Sequence, residues 1–155
     1  MKTVSLILMT LIIPIMNING QEAGHDRQPA VAGSFYPAGS DKLNSELAGY
    51  FNSLKNVYSG NRVRALILPH AGYVYSGHTA AAGYAAIPDD AEYDNIFLIG
   101  VSHRFSFDGA AIFTSGNMVT PLGTVQVNRA LGDELVRKSK WFIEMDDAHK
   151  AEHSL

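Results

Sequence analysis

The run RALIL (64–68), followed at once by PHAGYVYSGH (69–78), decides the fold. A short apolar run closed by proline and glycine signals reads as a buried strand that ends at its proline. A histidine, His70, stands directly behind that proline. Downstream, SGHTAAAGYAAI (76–87) is rich in alanine, which favours helix, with Ser76 placed to cap it and Pro88 to stop it. Tyr93 to Val101 is a second, nearly continuous apolar run, as strands buried on both faces of a parallel sheet are. It too ends on a histidine, His103. Residues 64 to 101 therefore read as strand, helix, strand, a single βαβ unit. The fold class that follows is α/β, a mostly parallel sheet with flanking helices.

Parallel strands present their carboxyl ends at one edge of the sheet, the edge at which open α/β folds bind ligands. His70 and His103 are thereby brought to one rim. They stand about 5 Å apart if the strands are neighbours and about 10 Å apart if one strand intervenes. Neutral imidazole is the commonest metal ligand and a general base near neutral pH. Two histidines completed by a carboxylate or a thiolate suit iron, copper or zinc. Two hydrogen-bonded histidines at strand ends would give the same pattern, so the residues alone leave both readings open.

Outward from this unit, PAVAGSFYPAGS (29–40) carries two prolines and two glycines and reads as a loop. Its aromatics, Phe35 and Tyr36, either plug the edge of the core or wall a pocket. Leu43, Leu47, Phe51 and Leu54 recur at helical spacing behind Ser40, a capping residue, and a turn at Tyr58 to Asn61 closes that unit. Gly109 to Phe113 and Gly123 to Val127 look like strands on either side of a turn-rich stretch. Asn128 to Lys138 looks like a helix, and Trp141 to Ile143 is a short apolar run. The tail DDAHKAEHSL is polar and uncapped. His25 and His78 read as exposed or structural. His149 and His153 are four apart, but no apolar framework supports a helix there.

The 155 residues suit one small domain, and 46% hydrophobic with 17% charged residues is ordinary globular composition. A net charge of −3 and the lack of any Lys/Arg cluster argue against a nucleic-acid partner. With no cysteine, disulfides and lipidated cysteine are excluded. Residues 1–20 have a lysine, an apolar run from Val4 to Ile13 and a polar end at Gly20, the plan of a secretory signal peptide. Residues 21–28 are then a polar lead-in, and 29–155 the domain. The expected location is periplasmic or secreted, with no membrane span after cleavage.

RQPAVAGSFYPAG (27–39), ALILPHAGYVYSG (65–77), IGVSHR (99–104) and EHSL (152–155) together resemble the Memo family, known in bacterial chains as AmmeMemoRadiSam system protein B. The similarity runs from Arg27 to Leu155. It implies an α/β core akin to the class III extradiol dioxygenases, which are non-haem iron enzymes. It also implies a metal or vestigial metal site on His70 and His103, with Phe35 and Tyr75 as aromatic neighbours and His153 close by. Two departures stand out. Family members run to nearly twice this length, some with a later cysteine ligand that this chain lacks, and this chain opens on a signal peptide where many relatives are expected to be cytoplasmic. The chain thus reads as the N-terminal half of a family domain, with an exposed core face and a two-ligand metal site expected. Export would moreover separate it from a cytosolic radical-enzyme partner.

Three functions follow as expectations. The first is a redox protein holding Fe(II) or Cu on His70 and His103, with Zn also accepted. No catalytic residue is assigned, and Asp146, Asp147 and Glu152 are the only acidic candidates for a further ligand. The second is a non-catalytic module that binds a peptide or small molecule against Phe35, Tyr73 and Tyr75. The third is a truncated chain with no function of its own.

Overall fold

The computed structural model describes residues 25–54 and 62–155. The leader reading of residues 1–20 and the turn expected at 58–61 lie outside them. The chain is mixed α/β. Its elements are α1 (Ser40–Asn52), α2 (Tyr73–Tyr84), β1 (Ala110–Ile112), β2 (Met118–Thr120), β3 (Gly123–Val125), α3 (Arg129–Lys138), β4 (Phe142–Glu144) and α4 (Asp146–Lys150). β1 and β4 pair in parallel, with Ala111 opposite Ile143. β2 and β3 form an antiparallel hairpin. α3 lies against β4, and α4 against β1. No helix among the described residues is long and apolar enough to cross a membrane.

α1 begins one residue before its expected cap takes effect. Gly39 is the N-cap and Ser40 is already helical, with no side-chain cap bond. Leu43 is buried, whereas Phe51, on the same stripe, is partly exposed. α2 starts at Tyr73, three residues earlier than the alanine run suggested. Ser76 does not cap it; its hydroxyl donates to the Ala71 carbonyl instead. The start is fixed from outside, because the Tyr73 amide donates to the Phe35 carbonyl at 2.8 Å. α2 packs on α1 through Gly77, where a Cβ would come within 2.7 Å of the Tyr50 ring. α3 follows the sequence reading closely, with Asn128 as its N-cap accepting from the Leu131 amide. β2 was hidden in the turn-rich stretch, and the polar tail supplies α4.

The two apolar runs that define the βαβ reading behave differently from expectation. Residues 62–70 and 95–102 form no β-ladder among the described residues. They do lie side by side and point the same way. At their starts Tyr93 donates through its hydroxyl to the Val63 carbonyl at 2.7 Å. At their ends the rings of His70 and His103 stand 5.4 Å apart. The topology of a parallel pair is therefore present without its ladder. They are also not buried: Ile67 is 100% exposed and Ile99 92% exposed, and Ile96, Phe97, Leu98 and Val101 are open as well. A strand of this composition needs cover on both faces, and nothing among the described residues supplies it. The closed core is accordingly small, with Leu43, Ala81, Phe113 and Ala148 as its buried apolar residues.

Candidate metal centre

Three histidines converge where the two unladdered segments end. His70 follows Pro69, His103 follows Ser102, and His153 follows the short helix α4. One ring nitrogen from each lies within 4.8 Å of the others. The His103 and His153 rings stack, with centroids 4.1 Å apart, and His70 lies 5.9 Å from His153. His70 and His103 are exposed and His153 is half-buried, so the cluster opens to solvent.

Glu152 ties this cluster together. It is 3% exposed. Its carboxylate accepts from the His103 amide and from the His103 Nδ1, each at 2.7 Å. It also accepts from the amides of His153 at 2.7 Å and Ser154 at 2.9 Å. Burial pushes this carboxyl upward, but the bonds from His103, Ser154 and His153 outweigh it and hold the group well below the usual carboxylate range. Glu152 is therefore an anion at neutral pH. All four bonds point inward to N–H groups, which leaves it poorly placed to be a further metal ligand.

The turn that carries Glu152 is held by Arg27. Its Nε donates to the His149 carbonyl at 2.8 Å and its Nη2 to the Glu152 carbonyl. Arg27 is itself fixed beside β2, since its amide donates to Asn117 and its carbonyl accepts from Val119. Its guanidinium is buried, and burial lowers its pKa against the opposing fields of Tyr36 and Glu152. His149 points away from the cluster, towards Phe113, and joins no site with His153.

An aromatic cavity of about 230 Å³ adjoins the cluster, and Phe35, Tyr36, Tyr50 and Tyr73 line it beside His70 and His153. Phe35 meets the His153 ring edge-on at 5.1 Å. Tyr73 lies on the first turn of α2 and contributes its ring to this wall; burial pushes its phenol upward. Tyr75 is on the same turn but is 86% exposed and is not part of the cavity lining. His78, also on α2, sets its ring against Tyr50 and is not part of the histidine cluster. Asp146 and Asp147 open α4 and take no part in the cluster.

The donor set fits a transition-metal ion. Ligand nitrogens at about 2.0–2.1 Å from a tetrahedral ion stand about 3.3–3.4 Å apart. With the three atoms within 4.8 Å of one another, binding needs a closure of at most about 1.5 Å between ring nitrogens. Sequence reasoning singled out His70 and His103 and put His153 nearby. It did not see Glu152 as the organiser or Arg27 as its brace. The adjacency of Glu152 and His153 was the available signal, because a carboxylate one residue from a ligand can reach the backbone amides on either side of it.

Comparisons with known proteins identify the family. A family profile described as Memo, Memo-like protein, matches residues 27–155. A MEMO1 family protein of Pyrococcus abyssi is 40% identical over 130 residues, covering 83% of this chain and 44% of the relative. MEMO1 family proteins of Pyrococcus horikoshii, 38% identical with the same coverage, and Thermoplasma volcanium, 39% identical over 129 residues, are similar too. The chain spans about half the length of the curated relatives it matches, 44% to 47% of these three. The matched region takes in the convergent histidines, Glu152 and Arg27, and the chain belongs to the Memo-like family.

Proposed function

We propose that this chain binds a divalent transition metal through His70, His103 and His153. The observation that carries the reading is the approach of the three ring nitrogens to within 4.8 Å. An all-imidazole set suits zinc, copper and iron. When bound, such an ion supplies Lewis acidity and, as iron or copper, a redox couple. The protein's own part is to hold three imidazoles at one rim, to keep that rim open to solvent, and to set an aromatic cavity beside it. His153 supplies the third ring nitrogen. Elemental analysis of the purified chain, with His70→Ala/His103→Ala alongside, tests the reading. Near-stoichiometric metal that is lost in the double variant supports it. Equal metal in both proteins, or none after reconstitution with zinc, copper and anaerobic iron, refutes it.

A second reading rests on the cavity of about 230 Å³. It is walled by aromatics with few polar groups, the lining that small-molecule pockets use. In this reading the cavity takes a small apolar or aromatic ligand and the histidines only orient it. Ligand binding unchanged by chelator would favour this reading over the first. In either case residues 1–20 act as an export leader. Sequencing of the secreted chain should then find a start at Gln21; retention of Met1 on a cytosolic product would reject export.

A further inference from the structure

We infer that Glu152 is a positioning residue that fixes His103 as its Nδ1–H tautomer and so reserves Nε2 as the atom offered to the rim. An ionised carboxylate only accepts hydrogen bonds. Its Oε1 lies 2.7 Å from His103 Nδ1, so that nitrogen carries the hydrogen. In a neutral imidazole the lone pair then belongs to Nε2. The same carboxylate accepts from the His103 amide at 2.7 Å, which fixes the backbone as well as the ring. Through Oε1 it also accepts from the His153 and Ser154 amides, so one anion sets both histidine-bearing segments. Arg27 completes the arrangement by holding the carbonyls of His149 and Glu152. A carboxylate on the far nitrogen of a metal-ligating histidine fixes its orientation and raises its basicity. The consequence for metal affinity rests on the proposed metal reading; the consequence for the tautomer does not.

The test has two readouts. The first is the ¹⁵N spectrum of histidine-labelled, metal-free protein near neutral pH. His103 should be the Nδ1–H tautomer in the native chain and shift towards the Nε2–H form in Glu152→Ala. Glu152→Gln should keep the Nδ1–H form, because its amide oxygen best serves the three donors at the Oε1 position, although its NH2 then meets the His103 amide and loses that bond. An Nε2–H form in the native chain, or a tautomer that Glu152→Ala leaves unchanged, overturns the inference. The native spectrum decides even if Glu152→Ala does not fold. The second readout is zinc affinity by chelator competition, where Glu152→Ala should bind about 10–100-fold more weakly and Glu152→Gln should fall between. Native-like affinity in a folded Glu152→Ala overturns the positioning role. If the native chain binds none of zinc, copper and iron, the metal reading fails while the tautomer result still stands or falls by itself.

Discussion

His149 is the residue whose environment conflicts most with its chemistry. It is buried, and neither ring nitrogen has a hydrogen-bond partner. Burial, and then the charge of Arg27, lower its pKa from 6.5; the Ala111 backbone pulls the other way without completing a hydrogen bond. The ring is thus neutral in the fold, while in the unfolded chain it protonates near 6.5. The unfolded state binds more protons below that pH, so acid favours unfolding. Urea midpoints should be flat above about pH 7 and fall as the pH drops from 6.5 towards 5. This group adds at most about 1.4 kcal/mol per pH unit. His149→Gln should flatten that part of the curve. Glu152 acts in the same direction lower down. Its folded pKa lies below the ordinary 4.5, so its contribution is present above that value and is lost as the pH falls further. Gly109 gives a separate test. Its φ is +92°, and a Cβ there would run into the Trp141 backbone where β1 meets β4. Gly109→Ala should cost about 1–3 kcal/mol, read as a lowered thermal midpoint. Of the residue-scale features, the histidines could be read from sequence because chain topology alone groups them. Arg27 could not, because its role depends on contacts across more than 120 residues; for Glu152 the sequence offered only its place beside His153, since its bonds to His103 cross 49 residues.

At the scale of elements, legibility followed local chemistry. α3 is read almost to the residue because Asn128 caps it and Arg137 and Lys138 close its last turn. Asn128→Ala should cost about 1 kcal/mol. It also removes the bond to Asn95 at 2.7 Å, which ties α3 to the second apolar run. Circular dichroism melts of the variant check the value, and an unchanged midpoint would show that the cap is idle. α2 was misplaced because its start is set by the Phe35 carbonyl, a tertiary contact that no local propensity reports. The runs at 64–68 and 93–101 differ from the expectation in two respects, having neither a ladder among the described residues nor burial. Their order and direction match it, but their burial depends on cover from outside the run. Hydrophobicity in a sequence states what a segment needs, and the surroundings decide whether it is met.

At the scale of the molecule, the apolar strip exposed among the described residues departs from an ordinary soluble surface. Dye that reports apolar surface should bind the native chain strongly. Ile99→Lys should reduce both the dye signal and concentration-dependent association. It should leave the thermal midpoint within about 0.5 kcal/mol of native, because a residue 92% exposed contributes little packing. A large loss of stability would instead mean that the strip is covered in solution.

The clamp of Arg27 on residues 149 and 152 also has a kinetic consequence. It spans up to 125 residues, and long loops close only after shorter ones have reduced their entropy cost. The hairpin of β2 and β3 and the contact of α1 with α2 can form early, whereas this closure comes late. His153 reaches the rim only when it does. Stopped-flow refolding should therefore show the rim histidines assembling with the slowest phase, and Arg27→Ala should speed unfolding far more than it slows folding.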